Sequence, residues 1–185
     1  MKNTSEITML LQAMSDGKSS SFDRLIPLVY DEMQHMARRQ LGGHGGATLN
    51  TNALVHEAFL KLSAGQEQGI GNRNQFLAVC SVVMRNVVID AVRRRQAVKR
   101  GGKADPLTFN EELFETDNQA EELMALNEAL NRLEEYDSNL ARVVECRYFA
   151  GLTELETAGA LEIGERTVRR RWTKARALLH QMLTS

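Results

Sequence analysis

The chain has 185 residues, 43% of them hydrophobic and 25% charged, with a formal net charge of -1. That is the make-up of a folded globular protein rather than a disordered or fibrous one, and the length allows one ordinary domain or two small ones with modest cores. Near-neutral charge excludes a uniform basic field but conceals segregation. Arg and Lys crowd residues 85–103 and 166–176, and Glu111, Glu112, Glu115, Asp117, Glu121 and Glu122 crowd the stretch between, so anion-binding faces should be local.

Only Pro27 and Pro106 interrupt the sequence, and no stretch alternates apolar and polar residues long enough for a sheet, so the expected fold class is all-α. A first helix from about Glu6 to Met14 ends at Asp16-Gly17-Lys18, and Ser20 or Ser21 caps a second. The second carries Phe22, Leu25, Ile26, Val29, Tyr30, Met33, Met36, Ala37 and Leu41 at helical spacing, with Pro27 inside the pattern, which predicts a kink or a division. Gly42 to Gly46 form a loop, after which Thr51 or Asn52 caps a third helix whose inward face is Leu54, Val55, Ala58, Phe59 and Leu62. A polar loop from Ser63 to Asn74 precedes a long helix, about Gln75 to Lys99, with Phe76, Val79, Cys80, Val83, Met84, Val87 and Val88 inward. This helix ends in a basic extension, Arg93, Arg94, Arg95 and Lys99, continued by Arg100 and Lys103, which suits the tracking of a phosphate backbone.

Its longest mostly apolar run, Phe76 to Met84, is far short of a bilayer span, and no apolar signal core follows Met1 and Lys2, so a cytoplasmic protein is expected. Cys80 and Cys146 belong to no metal or redox motif and read as reduced core cysteines. Composition shifts at Gly101 and Gly102, which places a linker over residues 101–118 between two small helical domains, 1–100 and 119–185.

In the second domain Leu123, Leu126, Leu130 and Leu133 mark one helix, and Asp137 or Ser138 caps another that carries Leu140, Val143, Val144 and Phe149 and ends at Gly151. Thr153 and Glu156 have capping-box spacing at the start of a short helix, Glu154 to about Leu161. Ala158 and Ala160 allow close crossing, and Glu162-Ile163-Gly164 makes a three-residue turn, which together give helix-turn-helix spacing. On the helix that follows, Val168, Trp172, Ala175, Leu179 and Met182 form one stripe. Arg166, Arg170 and Lys174 lie opposite with Thr167 beside them, and Arg169, Arg171 and Arg176 lie on the flanks. Such a face can enter a major groove, with arginines at guanine edges and at the phosphates.

With these motifs in place the chain resembles the extracytoplasmic-function group of bacterial sigma factors over nearly its whole length. Residues 51–62 are similar to the region 2.2 helix, with Leu54, Val55, Glu57, Phe59 and Leu62 matching, although Ala53 stands where an acidic residue is common. Met84 to Arg95, where Arg85 and Asn86 precede Asp90, Arg93 and Arg94, is similar to region 2.4, and Gly151 to Arg176 is similar to region 4.2. Glu162 replaces the usual turn glycine and Gly164 the usual serine cap.

The resemblance implies a factor that joins core RNA polymerase and directs it to promoter DNA. Leu54, Val55, His56, Glu57, Phe59 and Lys61 would bind the clamp helices of the β′ subunit. Asn72, Arg73 and Asn74 in the loop, with Asn86, Asp90, Arg93, Arg94 and Lys99, would serve the -10 element, and the helix-turn-helix the -35 element. An anti-sigma factor is a further partner it allows; no cofactor or metal is implied. The alternative is a helix-turn-helix regulator acting without polymerase, in which the region 2.2-like helix has no role. A third reading is a helical interaction protein whose basic faces bind acidic partners.

An enzyme reading finds no constellation. Gln12 stands where a phosphate loop ending Gly17-Lys18-Ser19 needs its first glycine, and Leu60 stands where a zinc helix beginning His56-Glu57 needs its second histidine.

Overall fold

The computed structural model describes residues 2–15, 20–41, 48–64, 70–99 and 117–184. Among the described residues all regular structure is helical: α1 Lys2–Ser15, α2 Ser20–Gln40, α3 Thr48–Ala64, α4 Arg73–Lys99, α5 Asp117–Tyr136, α6 Ser138–Val144, a π-helical turn Glu145–Phe149, α7 Glu154–Leu161 and α8 Glu165–Thr184. The expected breaks at residues 16–18 and 42–46, the middle of the 63–74 loop, and most of the 101–118 linker fall outside the described residues.

α1, α2 and α3 pack in sequence around α4, which contributes Phe76, Leu77, Cys80, Met84, Val87, Val88 and Val92 to the core. α4 is long and apolar enough to cross a membrane by length and composition, a property not visible in its short apolar run alone, and half of that stretch is buried within the fold. Pro27 neither divides nor ends α2. It lies on the exposed side, as does Asp23 four residues earlier, so the carbonyl deprived of its helical donor can be hydrated. α3 begins before the expected caps. Thr51 lies inside it with a side chain only 1% exposed.

In the C-terminal half Asp137 caps α6, its carboxylate accepting from Asn139 N at 3.0 Å. α6 does not run on to Gly151 as a regular helix. Its last carbonyls pass into the π turn, closed by Ala150 N donating to Glu145 O at 2.9 Å, and Gly151 takes a left-handed φ of 74°. The wider turn directs Glu145, Cys146 and Phe149 inward together, where an α-helix would have turned Arg147 or Tyr148 toward the core.

α5, α6 and α8 enclose a small core around Leu130, Leu133, Leu140, Val144 and Ala175. Ala120, Cys146, Leu152 and Ala160 instead join the core built around α4. Both cysteines are buried as thiols. Burial, with the nearby Glu145 carboxylate, pushes the Cys146 thiol up to about 12.

Candidate nucleic-acid interface

α7 owes its start to a reciprocal cap. Thr153 Oγ1 accepts from Glu156 N at 3.2 Å, and Glu156 Oε2 accepts from Thr153 N and Oγ1, both at 2.9 Å. Burial opposes ionisation of Glu156, but these hydrogen bonds from Thr153 and the charge of Arg73 outweigh it and hold the carboxyl below the ordinary range. At the other end Glu162 adopts φ 54°, and Ile163 N donates to Ala158 O at 3.1 Å. This left-handed stop usually carries glycine. Gly164 then opens α8, its carbonyl accepting from Thr167 N at 2.9 Å and Val168 N at 3.1 Å, with open space where a side-chain cap would stand.

Val168, Ala158 and Val143 lock α8 against α7 and α6. Trp172 bridges this small cluster to the main C-terminal core, with the Arg147 and Arg176 guanidinium groups 5.7 and 5.8 Å from its ring centre. The opposite face carries Arg166, Thr167, Arg169, Arg170, Thr173 and Lys174 along one shallow groove. Arg166 and Arg170 are exposed with no side-chain partner among the described residues. Two further cations of α8, one on the flank and one on the outer face, are engaged. Arg169 donates to Glu154 Oε2 at 2.8 and 3.1 Å, which lowers the Glu154 pKa, and Lys174 Nζ lies 5.3 Å from the Tyr136 ring centre. Arg171 is half-buried.

A family model described as "ECF sigma factor" matches residues 4–185. The chain belongs to the ECF sigma factor family. Among solved structures, "CnrH in complex with the cytosolic domain of CnrY" is similar to this sigma factor at 16% identity and TM-score 0.44, over 97% of each chain. No curated protein matches it.

In the N-terminal half of the sigma factor, the expected polymerase residues divide. Leu54 and Val55 are 0% and 2% exposed and belong to the protein's own core, so they hold α3 in place and present no surface. Phe59 is half-buried against Phe22 with ring centres 5.2 Å apart. His56 and Lys61 face outward with Glu57 half-buried between them, joined by Leu60, which is 45% exposed. Leu60 is absent from the expected set, although its position off the Leu54, Ala58 and Leu62 stripe places it outside the core.

The expected -10 residues are more scattered. Asn86, Arg93 and Arg94 stand exposed along α4, and Asp90 pairs with Lys61 at 3.3 Å; the Lys99 side chain lies outside the described residues. Asn72 caps α4 by accepting from Gln75 N at 3.0 Å, and Arg73 pairs with Glu32 at 2.6 Å. Arg85 is turned away from solvent. Its Nε lies 2.7 Å from Glu145 Oε1, it hydrogen-bonds Asn127, and it sits over the Phe149 ring. Burial pushes the Glu145 carboxyl up to about 6, with Arg85 pulling it down and Glu134 pushing it further up.

Proposed function

We propose that this sigma factor binds core RNA polymerase through the outward face of α3, His56, Glu57, Leu60 and Lys61, and recognises promoters through two basic surfaces. One is the α8 face, with Arg166 and Arg170 toward base edges and Arg169, Lys174 and Arg176 toward phosphates, and Thr167 and Arg171 beside them. The other is α4 with the turn before it, where Asn72, Arg73, Asn74, Asn86, Asp90, Arg93, Arg94 and Lys99 serve the -10 element. The observation that carries this reading is the unpartnered pair Arg166 and Arg170 on the exposed face of a helix whose other face is locked down by Val168 and Ala175. A rigid helix with free cations spaced four residues apart is suited to groove entry. Domains over 1–100 and 119–185 fit the division of labour, since each carries one basic surface.

The test is transcription from a promoter library by core polymerase with and without the protein, alongside gel shift of the protein alone. Initiation from a restricted promoter set only when both are present is the expected result. Tight, sequence-specific binding without polymerase would instead favour an operator-binding regulator.

A further inference from the structure

Cations are not the only lining of the groove on α8. Thr173 and Ala177 share it with Arg166, Arg169, Arg170 and Lys174, and both are exposed. Arg166, Arg170, Thr173 and Ala177 follow one another at helical spacing, which sets them along a single line on the helix surface. The direction in which that line faces is fixed, because Val168 and Ala175 on the other side of the helix are 0% exposed.

Thr173 differs from the arginines in what it offers. Its hydroxyl donates to the Arg169 carbonyl one turn earlier at 3.0 Å, so its single proton is committed to the backbone. The methyl group is left to meet a partner in the groove. A phosphate gains nothing from such a contact, and among the base edges of the major groove only thymine presents a methyl group of its own. Thr173 also stands about 4.5 Å beyond Arg170 along the helix axis, close to the spacing of about 3.4 Å between successive bases on a strand. A base that meets Thr173 is therefore the neighbour of the one that meets Arg170. Ala177 lies a further turn from the N-terminal end that enters the groove, which leaves Thr173 as the methyl within reach.

We propose that Thr173 is a specificity-determining residue of the -35 interface, its methyl group packing on the 5-methyl of a thymine next to the guanine contacted by Arg170. The inference rests on the reading of α8 as the groove-entering helix. It adds a thymine preference that the arginines do not supply, since their donors pair with the acceptors of guanine.

The test replaces each thymine of the preferred -35 element in turn by uracil, which removes one methyl group and leaves base pairing intact. Holoenzyme assembled with the full chain should lose about fourfold in affinity at one position, as expected for a single buried methyl group. Thr173→Ser keeps the hydroxyl and removes the protein's methyl, and it should bind thymine and uracil duplexes equally there. Thr173→Val keeps a methyl and removes the hydroxyl, and it should retain the fourfold response. Both substitutions fall on an exposed helix face, where they change helix propensity little.

A wild type that responds to uracil at no position overturns the proposal, as does a response that survives in Thr173→Ser or vanishes in Thr173→Val. A preferred element without a thymine beside the guanine overturns it as well. Arg170→Ala on the same duplexes judges groove entry separately. If that variant relaxes the guanine preference while uracil has no effect, the thymine contact falls and the reading of α8 stands; if neither changes binding, both fall. If no holoenzyme forms, the sigma reading fails, and titration of the same duplexes with the protein alone at low salt still decides the thymine contact.

Discussion

Replacing Arg85 by Met tests the ion pair that joins the two halves. The wild-type carboxyl of Glu145 already titrates at about 6 instead of its ordinary 4.5, so burying it ionised at about pH 7.5 costs about 2 kcal/mol even with Arg85 present. Without the cation Glu145 folds protonated, and the cost becomes that of holding a proton about three units above its ordinary pKa, about 4 kcal/mol. The electrostatic loss is therefore about 2 kcal/mol, and the hydrogen bond to Asn127 adds about 1 kcal/mol.

Acidification removes the first part. Because the folded pKa is raised, the folded state gains protons ahead of the unfolded one, and stability associated with Glu145 is present in acid and lost as pH rises through about 6. At about pH 5.5 the mutant should be destabilised by only about 1 kcal/mol, since both proteins then fold with Glu145 largely protonated. Urea unfolding at the two pH values reads the difference directly. Arg85→Met with Glu145→Gln should recover most of the loss at about pH 7.5, because a matched uncharged pair leaves no buried charge. Equal losses at both pH values, or no recovery in the double variant, would refute the reasoning.

Glu162→Gly should raise stability by about 1 kcal/mol in thermal melts, since a left-handed residue loses its Cβ conflict, offset only by the exposed hydrogen bond to Gln75. In holoenzyme binding to a panel of -35 variants, Arg170→Ala should cost about 1–3 kcal/mol on the preferred sequence and relax preference at one or two positions. Arg176→Ala should weaken all sequences alike and lower the salt slope by about one contact. Glu57→Lys should reduce polymerase association in a pull-down while circular dichroism stays unchanged, because Glu57 has no side-chain partner among the described residues to lose.

Features set by neighbours along the chain are legible in the sequence itself. Thr153 and Glu156 three residues apart define a cap whose hydrogen bonds are all local, and α7 runs over the expected span. The Val168, Trp172 and Ala175 stripe fixes the orientation of α8 because a single helix face decides it. The π turn is not legible in the same way. Leu140 to Val144 keep α-helical spacing, and the step from Val144 to the buried Phe149 is one residue too long for it, a signal masked by the helix stop expected at Gly151.

The side of α4 that Arg85 occupies is hidden for a different reason. Arg85 and Glu145 are 60 positions apart, and nothing local distinguishes an arginine facing a carboxylate from one facing a phosphate. Likewise Leu54 and Val55 match a binding motif, yet that pattern equally describes a helix holding itself in a core.

Trp172 is the only tryptophan in the chain, and it is wedged between the two apolar clusters of the C-terminal half with Arg147 and Arg176 over its ring. Its fluorescence is thus an unlabelled optical probe of that half alone, while circular dichroism reports helices throughout the molecule. Superimposable denaturation curves from the two signals mean that the continuous core makes the halves melt as one cooperative unit. Curves that separate measure how much stability the junction around Cys146 and Leu152 lends to each side.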